Sequence, residues 1–319
     1  MQYTAVIRTL GTAGEKYQTL LNSLAAQTIQ PTAILVYIAE GYPIPKETIG
    51  VEQYIYVKKG MVAQRALPYD EVTTEYMLLL DDDLYLPEDT VEQMFRLLKD
   101  HNADVISPDI FPNAKRPLLG KVMMALSGRM LARYNDKEWG YKVMRNSGYS
   151  YNANPKKDVY WSQTNAGAAC LCKKQDFLSI HFENELWLDE QPYALGDDQV
   201  MYYKMFLNGL KILTWYNHGM IHLDGGGNHS PEKMKRTIYS DFHFKTFFWH
   251  RFIFLLEKSF LLKIWDCICI GYTLIFALMI SLLKGDFLIL RSKWEGIQNA
   301  ITMIQQLKKI AWQHGKEQQ

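Results

Sequence analysis

The stretch that most constrains this chain is Tyr76-Met77-Leu78-Leu79-Leu80-Asp81-Asp82-Asp83-Leu84. Its apolar half reads as a buried strand, and three carboxylates follow where that strand must end. Adjacent negative charges repel one another, and desolvating them near a sheet edge costs several kcal/mol unless a cation compensates. A hard divalent ion such as Mg²⁺ or Mn²⁺ meets that need, because it takes oxygen ligands and leaves positions for substrate phosphates. In open α/β sheets ligands bind outside the carboxyl ends of the strands, where this triplet falls. The plainer account is a solvated acidic turn before a helix that begins at Pro87-Glu88-Asp89. The triplet alone leaves both open.

The segments around it read as α/β. Ala5–Leu10 is a first strand, ending in Gly11-Thr12-Ala13-Gly14, and residues 17–24 carry apolar side chains at helical spacing. Ala33–Ile38 is a second strand closed by Glu40-Gly41, so the unit is a right-handed parallel crossover. Tyr54–Val57 is a third strand, and a helix is expected to start over 61–67. A helix over 88–99 and a strand at 103–107 complete a regular βαβα pattern, which predicts a mainly parallel sheet flanked by helices. Gly11 and Gly14 make neither a dinucleotide fingerprint nor a P-loop.

After Pro108 the regularity stops. Trp139, Tyr141, Tyr149, Tyr151, Tyr160 and Trp161 crowd a loop-like region. Aromatic faces suit sugar C–H surfaces, though such residues also pack loops down. A small-residue strand follows at 165–172, where close backbone approach is expected. Asp197-Asp198 opens a helix ended by Asn208-Gly209, and a strand over 211–216 leads to His218, His222, Asp224 and three glycines. Helix capping accounts for one carboxylate of the Asp197-Asp198 pair, and the other is suited to act as a general base. His222 is either structural or a metal ligand. The glycines behind it suit a loop, over 224–229, that closes on a phosphate.

Taken in order, these are an N-terminal βαβ with Gln27-Thr28, Arg65 after the third strand, Asp81-Asp82-Asp83, a small-residue strand, Gly196-Asp197-Asp198, a helix with Asn208-Gly209, and a strand leading to His222. The series resembles the family 2 glycosyltransferases of the GT-A fold over roughly residues 3–230. The resemblance implies inverting transfer from a nucleotide sugar to an acceptor hydroxyl, with a divalent metal (Mn or Mg) as cofactor. It places the metal at Asp83, with Asp81 and His222, and donor contacts at Thr9, Glu40, Arg65, Asp81 and Asp82. It makes Asp198 the base, with Asp197 beside it. Glu40 stands where the family usually has Asp, Asp197 stands where it usually has Glu, and the Gln-x-x-Arg-Trp of processive synthases is absent.

The chain of 319 residues has a formal net charge of +1, which implies no nucleic acid. Pro231–Gln319 holds 13 Lys+Arg against 7 Asp+Glu, a net +6, so the body carries −5. The tail also holds the apolar run 264–283, long enough for a bilayer, with Trp265, Trp294 and Trp312 expected near the membrane interface and an amphipathic stretch over 297–312. Basic residues beyond the run argue against a single span and for a re-entrant or in-plane helix pair. The expectation is therefore a catalytic domain over 1–230 and a membrane-associating helical tail over 231–319, at the cytoplasmic face of the cell membrane. A glycan or lipid-linked acceptor would suit that place. The four cysteines form two Cys-x-Cys pairs without zinc or redox spacing, in keeping with a reducing compartment. Two other functions fit less well. A sugar-nucleotide transferase would need a stronger Gly-rich loop than 11–16 offers, and an inactive scaffold would not need both acidic motifs.

Overall fold

The computed structural model describes residues 1–110, 118–129, 139–152, 154–165, 167–224 and 230–306. Its strands are β1 (Tyr3–Thr9), β2 (Ala33–Ala39), β3 (Glu52–Val57), β4 (Tyr76–Asp81), β5 (Leu84–Tyr85), β6 (Val105–Pro108), β7 (Tyr141–Val143), β8 (Tyr149–Tyr151), β9 (Val159–Ser162), β10 (Ala169–Lys173), β11 (Ile212–Trp215) and β12 (Ile221–His222). The chain divides into two compact units. The first comprises Met1–Pro112, Ala153–Asp189 and Asp197–Gly227; the second comprises Asn113–Asn152, Glu190–Gly196 and Asn228–Gln319.

The first unit is built on an eight-stranded sheet in the order β3-β2-β1-β4-β10-β6-β11-β9. Strands β3, β2, β1 and β4 run parallel, as the βαβ reading expects, and β6 pairs β11 in parallel. The antiparallel insertion of β10 between β4 and β6 makes the sheet mixed. Helix α1 (Glu15–Ala25) buries Tyr17, Leu20, Leu21 and Leu24, spaced i, i+3, i+4, i+7. Helix α2 (Thr90–His101) buries Val91, Met94, Phe95 and Leu98 in the same pattern and ends on Asn102 in the left-handed region, φ 49°. Both pack on the Ile7, Leu78, Leu80 and Ile106 side of the sheet.

Two local expectations are refined. Residues 61–66 form successive tight turns rather than a helix, with Gln64 N donating to Gly60 O (3.0 Å) and Ala66 N to Val62 O (2.7 Å). Pro68 lies too close for a helix to propagate, and the Gln64 side chain is drawn inward to Thr9 O at 3.0 Å. The strand expected at 165–172 begins only at Ala169. The close approach falls just before it, where a Cβ on Gly167 would lie 2.2 Å from Ser107 Oγ.

The second unit holds the hairpin β7–β8, a short helix over Leu118–Met124, and helices over Pro231–Phe248, Phe260–Leu283 and Phe287–Gln306. Ser230 caps the first of the three long helices, accepting from Lys233 N at 3.1 Å. The helix over Phe287–Gln306 crosses it at Gly296, where a Cβ would meet Tyr239 O at 2.4 Å. The last part of the expected amphipathic stretch, including Trp312, lies outside the described residues, as do residues 225–229 of the expected closing loop.

Candidate active site

Because β2, β1 and β4 are parallel neighbours, their carboxyl ends share one edge, and Glu40, Thr9 and Asp81 lie along it. The register sets Arg8 opposite Asp81. Arg8, near the end of a largely apolar strand, is mostly withdrawn from water, so its charge calls for carboxylates. Arg8 Nε meets Asp81 Oδ1 at 2.5 Å and Arg8 Nη1 meets Asp197 Oδ2 at 3.3 Å.

Arg65 completes the arrangement. Its Nη1 contacts Asp198 and stands 3.0 Å from Asp197 Oδ2, while Nη2 lies 3.3 Å from Asp81 Oδ1. The tight turns carrying Arg65 are fixed by Asp189, which accepts from Val62 N (3.0 Å) and Ala63 N (2.8 Å), and by Tyr69 OH bonding Arg65 O at 2.7 Å. Two arginines thus draw the strand-end acid and the helix-start acids into one cluster. Arg65 was expected on the nucleotide; it is only 5% exposed and here grips three carboxylates.

The other members of the triplet face different partners. Thr9 Oγ1 donates to Asp82. Asp83 Oδ1 lies 3.4 Å from His222 Nε2, because β12 pairs β5 and brings His222 opposite Leu84, next to Asp83. Leu223 N donates to Asp83 O at 2.8 Å, and Lys16 reaches Asp224 at 3.1 Å. Glu40 is exposed at the end of β2.

Electrostatics separate the acids. Burial raises the Asp81 carboxyl, but Arg8 and Arg65 outweigh it and hold it below the ordinary carboxylate value. Burial pushes Asp82 up to about 6, with the Thr9 hydroxyl opposing and Asp83 and Asp81 adding to the rise. Asp83 is raised by burial against the opposing pull of His222. Burial pushes Asp198 to about 6 as well, partly offset by Arg65 and reinforced by Asp197. Arg65 stays charged: burial works against it, and its three carboxylates more than compensate.

The helix that starts at Asp197 is anchored from its buried face. Lys204 Nζ pairs with Glu185 Oε1 at 2.8 Å and donates to His181 O at 2.7 Å, and Trp187 Nε1 donates to Glu185 Oε2 at 2.7 Å. Of the aromatics singled out in the sequence, Tyr160 packs edge-on against Tyr216, with ring centroids 5.6 Å apart, whereas Trp161 stays 40% exposed. In the second unit Tyr141 is buried and Tyr149 is exposed. Among the described residues no three His, Cys, Asp or Glu are arranged to hold a metal. Asp83 and His222 converge as a two-donor set, which fits a cation whose other ligands are substrate oxygens and water.

Residues 54–154, which include Arg65 and the acidic triplet, match the family described as Glycosyl transferase family 2. The match covers about a third of the chain. Asp197, Asp198 and His222 lie beyond the matched segment. Among solved structures, the chain is similar to that of GalNAc-T7 with UDP, GalNAc and Mn2+, at 13% identity and a TM-score of 0.50. The likeness covers 86% of this chain and 56% of that one, so the chain spans little more than half that protein's length. The shared fold is of the GT-A type. No curated protein matches the chain.

Proposed function

We propose that this glycosyltransferase moves a sugar, with inversion, from a nucleotide-diphosphate donor to an acceptor hydroxyl, and that it is metal-dependent. The observation that carries this reading is the convergence of Asp81, Asp197 and Asp198 on Arg8 and Arg65, across 132 positions of sequence between Arg65 and Asp197. A helix cap alone would not require buried arginines beneath both acidic motifs.

Asp198 is the base. Its carboxylate takes the proton of the acceptor hydroxyl as that oxygen attacks the anomeric carbon, from the face opposite the departing nucleoside diphosphate. A carboxyl raised to about 6 is ionised at neutral pH and more basic than an ordinary one, which suits that task. Arg65 keeps the carboxylate aimed, with Asp197 beside it. Thr9, Asp82 and Glu40 line the donor side of the edge. Asp83 and His222 would hold the divalent ion, with Asp81 adding its second oxygen, since Oδ1 serves both arginines. Once bound, such an ion neutralises charge growing on the leaving diphosphate.

The acceptor we infer is a lipid-linked oligosaccharide or polysaccharide intermediate at the cytoplasmic face of the cell membrane. The exposed apolar helix Phe260–Leu283 supports this. Two substitutions test the site. Asp198→Asn keeps donor binding and loses transfer, whereas Asp83→Ala loses metal-dependent donor binding. Full transfer by Asp198→Asn would overturn the choice of base.

A further inference from the structure

We infer that the helix Phe260–Leu283 lies in the plane of an anionic membrane leaflet, with one face in the acyl region, and does not cross the bilayer. The inference rests on the membrane association proposed above and specifies its geometry.

Beyond its first turn, where Phe260 and Leu262 are also exposed, the exposed apolar residues of this helix share one face. Leu261, Ile268, Tyr272, Ile275, Met279 and Leu282 are each 38% exposed or more. At about 100° per residue they fall within a stripe roughly 60° to either side of one line, running the whole length of the helix. The opposite face is polar and held by the protein. Asp266 is fully buried and meets Arg145 Nη1 at 2.8 Å. Thr273 Oγ1 accepts from Asn146 Nδ2 at 3.0 Å. Lys293 Nζ donates to Ala277 O at 2.9 Å and to Ser281 Oγ at 2.8 Å.

These anchors stretch from 266 to 281, about 22 Å of helix at 1.5 Å per residue. A hydrocarbon core is only about 30 Å thick, so a crossing helix would carry Arg145 or Lys293, with their segments, into it. Each cation at the bilayer centre costs about 3 kcal/mol on insertion scales. Lying flat removes that cost, because every anchor is on the face turned from the lipid. Lys258, Lys263, Lys284 and Arg291 flank the apolar stripe, and the segment's net +6 matches an anionic headgroup layer. An in-plane amphipathic helix buries its apolar face about 5–10 Å deep along its entire length.

The test uses the full chain with Cys267→Ser and a single new cysteine at Ile264, Ile268, Ile275 or Leu282, each labelled with an environment-sensitive fluorophore. The melting temperature of each labelled chain checks its fold, and a label that perturbs the fold is replaced by one at Tyr272 or Met279. The chains are bound to phosphatidylglycerol/phosphatidylcholine vesicles carrying nitroxides at shallow or deep acyl positions. The in-plane geometry predicts that all labels are quenched alike, and more by the shallow nitroxide. Strong deep quenching at 275 with shallow quenching at 264 and 282 would overturn it and leave membrane association standing. No quenching at any position, with the stripe instead protected in a dimer of this chain, would overturn both.

Discussion

Arg65 Nη1 stands 3.0 Å from Asp197 Oδ2, and the same nitrogen contacts Asp198. One guanidinium therefore sets the position of both helix-start acids, and its second nitrogen ties them to Asp81 on the neighbouring motif. Removing it leaves Arg8 alone to compensate these carboxylates and takes the arginine contact from Asp198, which raises its proton affinity and releases its aim. Arg65→Ala is expected to lower kcat by about 10²-fold or more, on the scale of losing an aligned base. Arg65→Lys keeps the charge without the fork and recovers part of the loss. Steady-state kinetics of both variants check this, and unchanged kcat in Arg65→Ala would remove the positioning role.

The pH dependence follows from the same burial. The base proposed at Asp198 works only when ionised, and its carboxyl is pushed up to about 6. In the free enzyme kcat/KM is expected to be level above that value and to fall as pH drops through it. Asp82, also at about 6, makes the limb steeper than one proton if its charge is needed for donor binding. A kcat/KM profile from pH 5 to 8 decides, and a profile still level at pH 5 would contradict the burial account.

His243 offers a separate handle on stability in the second unit. It is fully buried between Tyr239 and Phe247, and burial lowers its imidazole from the ordinary 6.5 to about 4. Between those values the unfolded chain binds a proton that the folded chain does not, so stability rises with pH across this window. The raised carboxyls of Asp82 and Asp198 act in the opposite sense, so the histidine is read by difference. Relative to the wild type, His243→Leu is expected to raise the urea midpoint more at pH 5 than at pH 7, and an equal change at both would assign the pH dependence elsewhere.

The buried Lys204–Glu185 pair is expected to be essential to the placement of the Asp197 helix. Glu185→Ala leaves a buried ammonium without its carboxylate and should cost about 3–5 kcal/mol. Chemical denaturation measures the loss. A change under 1 kcal/mol would mean that the lysine finds another partner.

Much of this was legible in the sequence because the signals are local. The apolar run before Asp81 and the period of α1 and α2 each fit in a window of a dozen residues. So does the helix opening at Asp197. Arg8 was part of a readable strand, but its partners depend on the register of β1 with β4 and on a helix far along the chain. An arginine among Ala5, Val6 and Ile7 was the available hint. The turns at 61–66 resembled a helix start because composition does not show the pull of Gln64 toward Thr9. That residues 113–152 cluster with the C-terminal helices is likewise a matter of distant pairs, such as Arg145 with Asp266, that no window contains.

The central claim is that the edge formed by β1, β2 and β4 binds a nucleotide sugar's diphosphate with a divalent ion. Thermal unfolding with UDP, GDP, dTDP and CDP, each with and without Mn²⁺, tests it most directly, because a ligand bound only by the folded state raises the melting temperature by mass action. The account predicts a rise with one nucleotide, dependent on Mn²⁺ and absent in Asp83→Ala. A folded protein whose melting temperature moves with none of the four would contradict it.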